Sequence, residues 1–161
     1  MLIRIEGLQA KGRPRFARRG NHVSTYTPKN TADYEAKIRQ MYYMSQNRES
    51  WFDKEPIEVT VTAYKKIPTG ASKKEKHRIQ VQGIRPITKP DVDNYLKLAL
   101  DALNGVAYGD DNQVVRATAE KRFSDGEAYM TIEIREADPL IKQPTNTHEK
   151  SKEEQEDEGK D

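Results

Sequence analysis

Apolar and polar residues alternate in several stretches of this chain, and each alternation predicts a β-strand with one buried face. The clearest stretch is residues 57–64, in which every odd-numbered position is apolar. Residues 114–123 and 128–136 alternate in a similar way, and the Asp125-Gly126 pair between them predicts a tight hairpin that joins these two strands. A further short strand is predicted over residues 1–6, where apolar side chains also predominate.

Helical spacing of apolar residues predicts two longer helices, and a short basic helix lies between them. The longer helices cover residues 29–46 and residues 93–104. In the second of these, the predicted buried stripe consists of Leu96, Ala99, Leu100 and Leu103. Gly105 follows in the position that favours a left-handed backbone after a helix. The short basic helix is predicted from Ser72 to about Gly83.

The segment between the first strand and the first helix is predicted to be a basic loop, because Gly12, Pro14 and Gly20 interrupt regular structure. The predicted order is therefore β-α-β-α-α-β-β, which is typical of an α+β domain with one mixed β-sheet flanked by helices. We assign this single domain to residues 1–137. The periodicity stops beyond it, and residues 138–161 are predicted to form a disordered acidic tail.

Charge is distributed unevenly along the chain. The 161 residues carry a net charge of +2, but residues 138–161 contain eight acidic and four basic residues, which leaves +6 on residues 1–137. A basic body suits a polyanionic partner such as nucleic acid. The chain has no cysteine, which excludes disulfides and thiolate metal sites. No apolar run approaches the ~20 residues that cross a bilayer, so we expect a soluble cytoplasmic protein without membrane contact.

The side chains best suited to metal binding or catalysis lie between positions 89 and 113. Asp91, Asp93 and Lys97 are followed by Asp101 and by the pair Asp110-Asp111. Crowded carboxylates repel one another unless a cation lies between them, and oxygen ligands select hard ions such as Mg²⁺ or Mn²⁺. The loop at Asp110-Asp111 is expected to double back toward Asp91 and Asp93. An acidic metal site in a basic body predicts an enzyme that cuts a phosphate backbone.

Each of these residues also has a structural interpretation. Asp93 occupies the predicted N-cap of its helix, Lys97 could form a surface ion pair one turn later, and Asp110-Asp111 could simply form a turn. Competing sites fit poorly. An EF-hand counted from Asp91 would have Leu96 where glycine is needed. The scattered histidines disfavour zinc, and no complete P-loop is present, so no nucleotide cofactor is expected.

The order of residues in this region forms a long motif. Lys89–Gly105 reads K-P-D-x-D-N-x-x-K-x-x-x-D-x-L-N-G, and D-D-x-Q follows at Asp110–Gln113. Together with Lys11–Arg15 and Tyr26–Pro28, these residues resemble the RusA family of Holliday junction resolvases, and the resemblance covers roughly residues 2–136.

This resemblance implies a homodimeric, Mg²⁺-dependent endodeoxyribonuclease that nicks two opposed strands of a four-way DNA junction in recombination and repair, leaving 5′-phosphate ends. It implies that Asp91, Asp93 and Asp111 bind the metal, with Mn²⁺ as a possible substitute, and that Lys97 is catalytic together with them. A slip of one residue in the loop would exchange Asp111 for Asp110.

Basic residues are expected to contact the phosphates that flank the cleaved bond and to give salt-dependent affinity. They are Lys11, Arg13, Arg15, Arg18, Arg19, Lys73, Lys74 and Lys76. Two other functions remain open. A general or flap-type Mg²⁺ nuclease would carry the same residues, since junction selectivity depends on the geometry of the dimer. A non-catalytic junction-binding protein would use the aspartates only as helix caps and ion-pair partners.

Overall fold

Six strands, three α-helices and one 3-10 turn are formed in residues 1–20, 22–45 and 51–139, which are the residues that the computed structural model describes. In chain order they are β1 (Leu2–Glu6), β2 (Arg15–Arg19), β3 (His22–Tyr26), α1 (Lys29–Ser45), β4 (Ile57–Lys66), α2 (Lys73–Gln82), α3 (Val92–Leu103), the 3-10 turn (Asp111–Gln113), β5 (Val114–Ser124) and β6 (Tyr129–Glu136). The predicted α+β class is confirmed.

The central sheet has four strands in the order β1-β6-β4-β5. It is mixed, because β4 is antiparallel to β6 and parallel to β5. Its register brings apolar residues of neighbouring strands together: Val61 pairs with Ile132, which in turn pairs with Ile3. All three side chains are buried, so the alternation in the sequence correctly identified one buried face.

Helices α1 and α3 cover this buried face. The apolar side of α3 consists of Tyr95, Leu98, Ala99, Ala102 and Leu103, all of them buried in the core. Helix α1 contributes Ile38 and Tyr42 to the same core. Because the apolar side of α3 is fixed against the sheet, its opposite side, with Asp93, Lys97 and Asp101, is held toward solvent.

The predicted hairpin between β5 and β6 is wrong. These two strands do not pair, and β4 lies between them. The Asp125-Gly126 turn does form, since Ser124 Oγ accepts from the Gly126 amide at 3.1 Å and donates to the Glu127 carbonyl at 2.8 Å. The chain then crosses two strand spacings, roughly 10 Å, past the end of β4. The central position belongs to β4, which is the most completely buried strand, whereas only one of the 11 residues of β5 is buried.

The predicted basic loop is also corrected. Residues 15–26 form an antiparallel hairpin, in which Arg15 pairs with Tyr26 and Arg18 with Val23. Pro14 lies just before β2 and therefore does not disturb it. Gly20, which the sequence pattern marked as an interruption of regular structure, follows β2 with φ +63. It therefore allows the chain to turn there.

Both ends of α2 and the glycine that follows α3 behave as predicted. Ser72 caps α2 by accepting from the Glu75 amide at 3.1 Å, and Gly83 follows that helix with φ +64. Gly105 has φ +67 after α3. None of the helices among the described residues is long and apolar enough to cross a membrane. Gln46 and residues 140–161, which include nearly all of the predicted tail, lie outside the described part of the chain.

Candidate active site

The first turn of α3 carries the D-x-D pair of the motif. The helix begins at Val92, so its N-cap is Asp91 rather than the predicted Asp93, which lies inside the first turn. The Asp91 carbonyl accepts from the Asn94 amide at 3.2 Å, but its carboxylate makes no capping hydrogen bond. Within residues 1–20, 22–45 and 51–139 this carboxylate has no hydrogen-bond or ion-pair partner. It is exposed to solvent.

Asp93 and Lys97 form an ion pair across one turn of α3. The Lys97 Nζ lies 3.3 Å from Asp93 Oδ2, and both side chains are more than half exposed, at 64% and 57%. Such a pair contributes little to stability because water competes for both charges. The ammonium group of Lys97 is therefore held beside the D-x-D pair by an interaction that a phosphate could replace at small cost.

Lys11 connects the N-terminal segment to both α1 and α3. Its ammonium group lies 2.6 Å from Asp101 and 2.7 Å from Glu35, and its amide donates to the Asn94 carbonyl at 2.9 Å. Burial by itself would lower the pKa of Lys11, but the hydrogen bonds and charges of Asp101 and Glu35 outweigh it and raise that pKa. Asp101 is thus occupied by a structural ion pair. The expected contact of Lys11 with DNA stays a prediction.

The two neighbouring aspartates of the 3-10 turn have different environments. Asp110 forms a capping box: its carboxylate accepts from the Asn112 amide at 2.8 Å, and its amide donates to the Gln113 side chain at 2.9 Å. The side-chain nitrogen of Gln113, Nε2, also donates to the Phe52 and Glu55 carbonyls. In the described part of the chain, the Asp111 carboxylate has no hydrogen-bond or ion-pair partner. Asp110 therefore shapes the turn, and Asp111 is available to a ligand.

Asp111 lies beside the C-terminal half of α3. Tyr108, three residues earlier, donates its hydroxyl to the Leu100 carbonyl at 3.0 Å. Burial, and then the charges of Asp111 and Asp101, raise the pKa of Tyr108. These contacts hold the 3-10 turn near Asp101, and not near the first turn of the helix.

The loop does not double back to Asp91 within one chain, contrary to the prediction. The end of β5 returns there instead, because the Lys121 ammonium donates to the Pro90 carbonyl at 3.2 Å. The seven steps from Val114 to Lys121 span roughly 23 Å of strand, which leaves Asp111 far from Asp91. Accordingly, no three acidic or histidine side chains among the described residues lie close enough together to hold a metal ion.

A divalent cation is nevertheless compatible with the donors at the start of α3. Mg²⁺ keeps several of its waters and is usually held by one or two carboxylates together with phosphate oxygens of the substrate. Among the described residues, Asp91 has a free carboxylate, and Asp93 is engaged only by the exposed ion pair with Lys97 and by a 3.5 Å hydrogen bond that the Asn94 side chain donates. These two carboxylates are sufficient for a site that substrate completes.

Comparison with known proteins agrees with this motif. The family model described as "Endodeoxyribonuclease RusA" matches residues 8–135, which include the D-x-D pair, Lys97 and the 3-10 turn. The chain belongs to the RusA endodeoxyribonuclease family. It is also 36% identical over 129 residues to YqaN of Bacillus subtilis (strain 168), an uncharacterized protein, with 79% of this chain and 89% of the relative covered.

The other basic residues of this RusA-family chain lie on two exposed elements. Arg13, Arg15 and Arg18 are exposed on or beside the β2-β3 hairpin, and Lys73, Lys74 and Lys76 are exposed at the start of α2. The side chain of Arg19 lies outside the described part. The hairpin also exposes Phe16 (74%) and Val23 (61%), so it presents apolar and cationic groups together.

Two lysines that contact the segment before α3 were not predicted from the sequence to belong to the site. Lys65 lies at the end of the buried alternation of β4, Lys121 lies on the paired strand β5, and both donate to carbonyls of the segment just before Asp91. A signal was present in the sequence: each lysine occupies the position where the alternation calls for another apolar residue, after Ala63 and after Ala119.

Proposed function

We propose that this RusA-family protein is a Mg²⁺-dependent, structure-selective endodeoxyribonuclease that resolves four-way (Holliday) junctions by paired nicks in DNA recombination and repair. The observation that carries the proposal is the exposed Asp91 carboxylate, which has no partner among the described residues at the first turn of α3 and lies in a motif shared with the family. A carboxylate that neither caps its helix nor forms an ion pair is available to bind a ligand.

Each side chain has a distinct task in this reaction. Asp91 and Asp93 would hold Mg²⁺, whose chemistry when bound is to neutralise charge on the scissile phosphate and to activate water for in-line attack. Lys97 leaves Asp93 and moves to the phosphate, where its compact positive charge stabilises the additional negative charge of the transition state. The bond to the 3′ oxygen breaks, which leaves a 5′-phosphate and a 3′-hydroxyl that a ligase can join.

The hairpin supports a DNA substrate. Its two strands are exposed, and it combines arginines, which contact phosphates, with Phe16, which can stack on an unpaired base. An isolated two-stranded ribbon has no core of its own. DNA would cover the exposed apolar groups and neutralise the charges at the same time. A second set of phosphate contacts would come from Lys73, Lys74 and Lys76 on α2.

The function requires a homodimer, since two symmetric cuts need two sites. A dimer also explains how Asp111 takes part. Asp111 and the D-x-D pair lie at opposite ends of α3 in one chain, and a two-fold axis can bring one end against the other end of the partner. We therefore propose that each site combines Asp91 and Asp93 of one protomer with Asp111 of the second.

A cleavage assay with three substrates tests the proposal. A four-way junction, a flap and a linear duplex of matched sequence are incubated with the protein and Mg²⁺, with EDTA as the control. Symmetric nicks in the junction alone are the expected result. Equal cutting of the flap and duplex would indicate a general nuclease. Tight junction binding without cleavage in Mg²⁺ or Mn²⁺ would leave a non-catalytic binding protein.

A further inference from the structure

The segment that leads into the D-x-D pair is held by lysines and not by regular secondary structure. Residues 83–90 belong to no helix or strand, yet Asp91 follows directly. Lys65 Nζ donates to Thr88 Oγ1 at 2.7 Å and to the Lys89 carbonyl at 2.6 Å. Lys121 Nζ donates to the Thr88 carbonyl at 2.9 Å and to the Pro90 carbonyl at 3.2 Å. Three consecutive carbonyls are thus attached to the sheet.

The two lysines come from adjacent parallel strands and point to the same face. In the register of β4 and β5, Lys121 pairs with Ala63, and Lys65 is two residues further along β4. This is the face that α3 covers. Lys65 and Lys121 therefore lie near the C-terminal ends of β4 and β5, beside the start of α3. From there the two lysines can fix the start of the helix relative to the sheet.

This arrangement has an electrostatic cost that packing alone does not explain. Neither lysine has a carboxylate partner among the described residues, and Lys66 next to them does, since it pairs with Glu127. Burial, and then the charge of Lys121, lower the pKa of Lys65. Like charges that crowd together without a counter-ion are more typical of functional sites than of structural ones.

We propose that Lys65 and Lys121 are positioning residues of the nuclease site, which hold the Thr88–Pro90 backbone and thereby fix the direction of the Asp91 carboxylate. This inference rests on the proposed nuclease function. The lysines act through the backbone, and the substrate does not touch them. A displacement of a reacting group by about 1 Å can cost about 100-fold in rate, so a small loosening of this segment has a large effect on catalysis.

Lys65→Met and Lys121→Met test the proposal, because methionine keeps the apolar stem and removes the charge. Lys66→Met is the matched control on the same strand. We expect the single-turnover cleavage rate to fall about 10- to 100-fold in the two test variants, with an unchanged Kd for the junction. Lys121→Arg keeps the charge and the donors and should recover part of the rate.

Two measurements without DNA separate positioning from other roles. In the metal-free full chain, hydrogen exchange of peptides that cover residues 88–95 should accelerate in both test variants and not in Lys66→Met, with the rest of the sheet unchanged. Mn²⁺ binding, followed by electron paramagnetic resonance, should weaken in the test variants alone.

The outcomes separate the positioning role of the lysines from the proposed function of the protein. Unchanged exchange and unchanged Mn²⁺ binding in the test variants would overturn the positioning role. So would a weaker Kd for the junction with a normal cleavage rate, because the lysines would then contact DNA directly. A wild-type protein that cuts no branched DNA would overturn the proposed function, whereas the exchange result would still answer whether the lysines fix the segment.

Discussion

The ammonium group of Lys11 lies 2.6 Å from the carboxylate of Asp101, and this ion pair joins the N-terminal segment to α3. Both residues belong to the motifs that identify the family, but neither needs to meet the metal. With Glu35 as the third member, the cluster fixes α3 against α1 beside the proposed site. It shows that a residue in a functional motif can serve the geometry of the site and not its chemistry.

Removal of the Lys11 charge should destabilise the fold. In Lys11→Met, Glu35 and Asp101 would lose their shared cation, and we expect a loss of about 1–2 kcal/mol in the free energy of unfolding, reduced by partial solvent exposure. Urea unfolding at pH 7 measures it, with Lys74→Met, an exposed lysine without an ion pair among the described residues, as the control. Equal stability of the two variants would contradict the prediction.

The same pair predicts a pH dependence. The folded-state pKa of Lys11 is raised above its ordinary value of 10.5. Its stabilising contribution is therefore complete below pH 10.5 and is lost as the pH rises through the folded-state pKa. The difference in unfolding free energy between wild type and Lys11→Met should stay constant from neutral pH to about pH 10 and shrink above it. A difference that already declines near pH 8 would assign the effect to another group.

The aspartates should matter for cleavage more than for binding. We expect Asp91→Asn, Asp93→Asn and Asp111→Asn to abolish cleavage of a four-way junction, while junction affinity is kept or increased, because each removes negative charge from a site that receives phosphate. Gel-shift and cleavage assays measure both. Asp110→Asn is the matched control, since asparagine can also cap the 3-10 turn. An inactive Asp110→Asn beside an active Asp111→Asn would exchange the roles of the two residues.

Mixing two inactive variants tests whether the site is shared between protomers. Equal amounts of Asp91→Asn and Asp111→Asn, unfolded and refolded together, should regain nicking of one strand. In a mixed dimer, one site then receives both mutations and the other receives none. Random pairing would restore about a quarter of the sites. A mixture as inactive as its components would show that each site is built within one chain, or that the chain does not form the proposed dimer.

Lys97→Ala should lower the cleavage rate by about 10² or more, because its charge is needed mainly in the transition state. Mn²⁺ binding should be little affected, and so should thermal stability, since the ion pair with Asp93 is exposed. Lys97→Arg should not restore the rate fully, because a planar guanidinium is a poor substitute for a compact ammonium group. An unchanged rate in Lys97→Ala would leave Lys97 as a surface ion-pair partner.

Deletion of residues 138–161 tests the role of the acidic segment. These residues carry a net charge of −4 beside a body of +6, so they can compete with DNA for the basic surface. We expect the truncated chain to fold and to bind a junction more tightly at low salt, with the gain declining as the Debye length falls to ~8 Å near physiological salt. Equal affinities at the lowest salt would make the segment an inert extension, and failure to fold would contradict its assignment as a tail.

The sequence by itself determined the features that depend on near neighbours. Alternation along β4 and β6 identified the buried face of the sheet, because successive side chains in a strand point to opposite faces. The ends of α2 were readable from Ser72 and Gly83, since caps act within one turn of the helix. The motif from Lys89 to Gln113 was sufficient to indicate the family, because it is long and its spacing is specific.

Only the tertiary structure decided which elements are neighbours. Alternation does not say which strand lies beside a given strand, so the pairing of β5 with β4 and not with β6 had to come from the fold. The same limit applies to the site. Asp111 follows Asp91 closely in sequence but lies at the other end of α3, whereas Lys121, further along the chain, reaches the Pro90 carbonyl. Because β5 runs back along α3, a residue late in β5 lies near the start of the helix, and a residue just before β5 lies near its end. The separation of two residues in the sequence gives no information about this reversal.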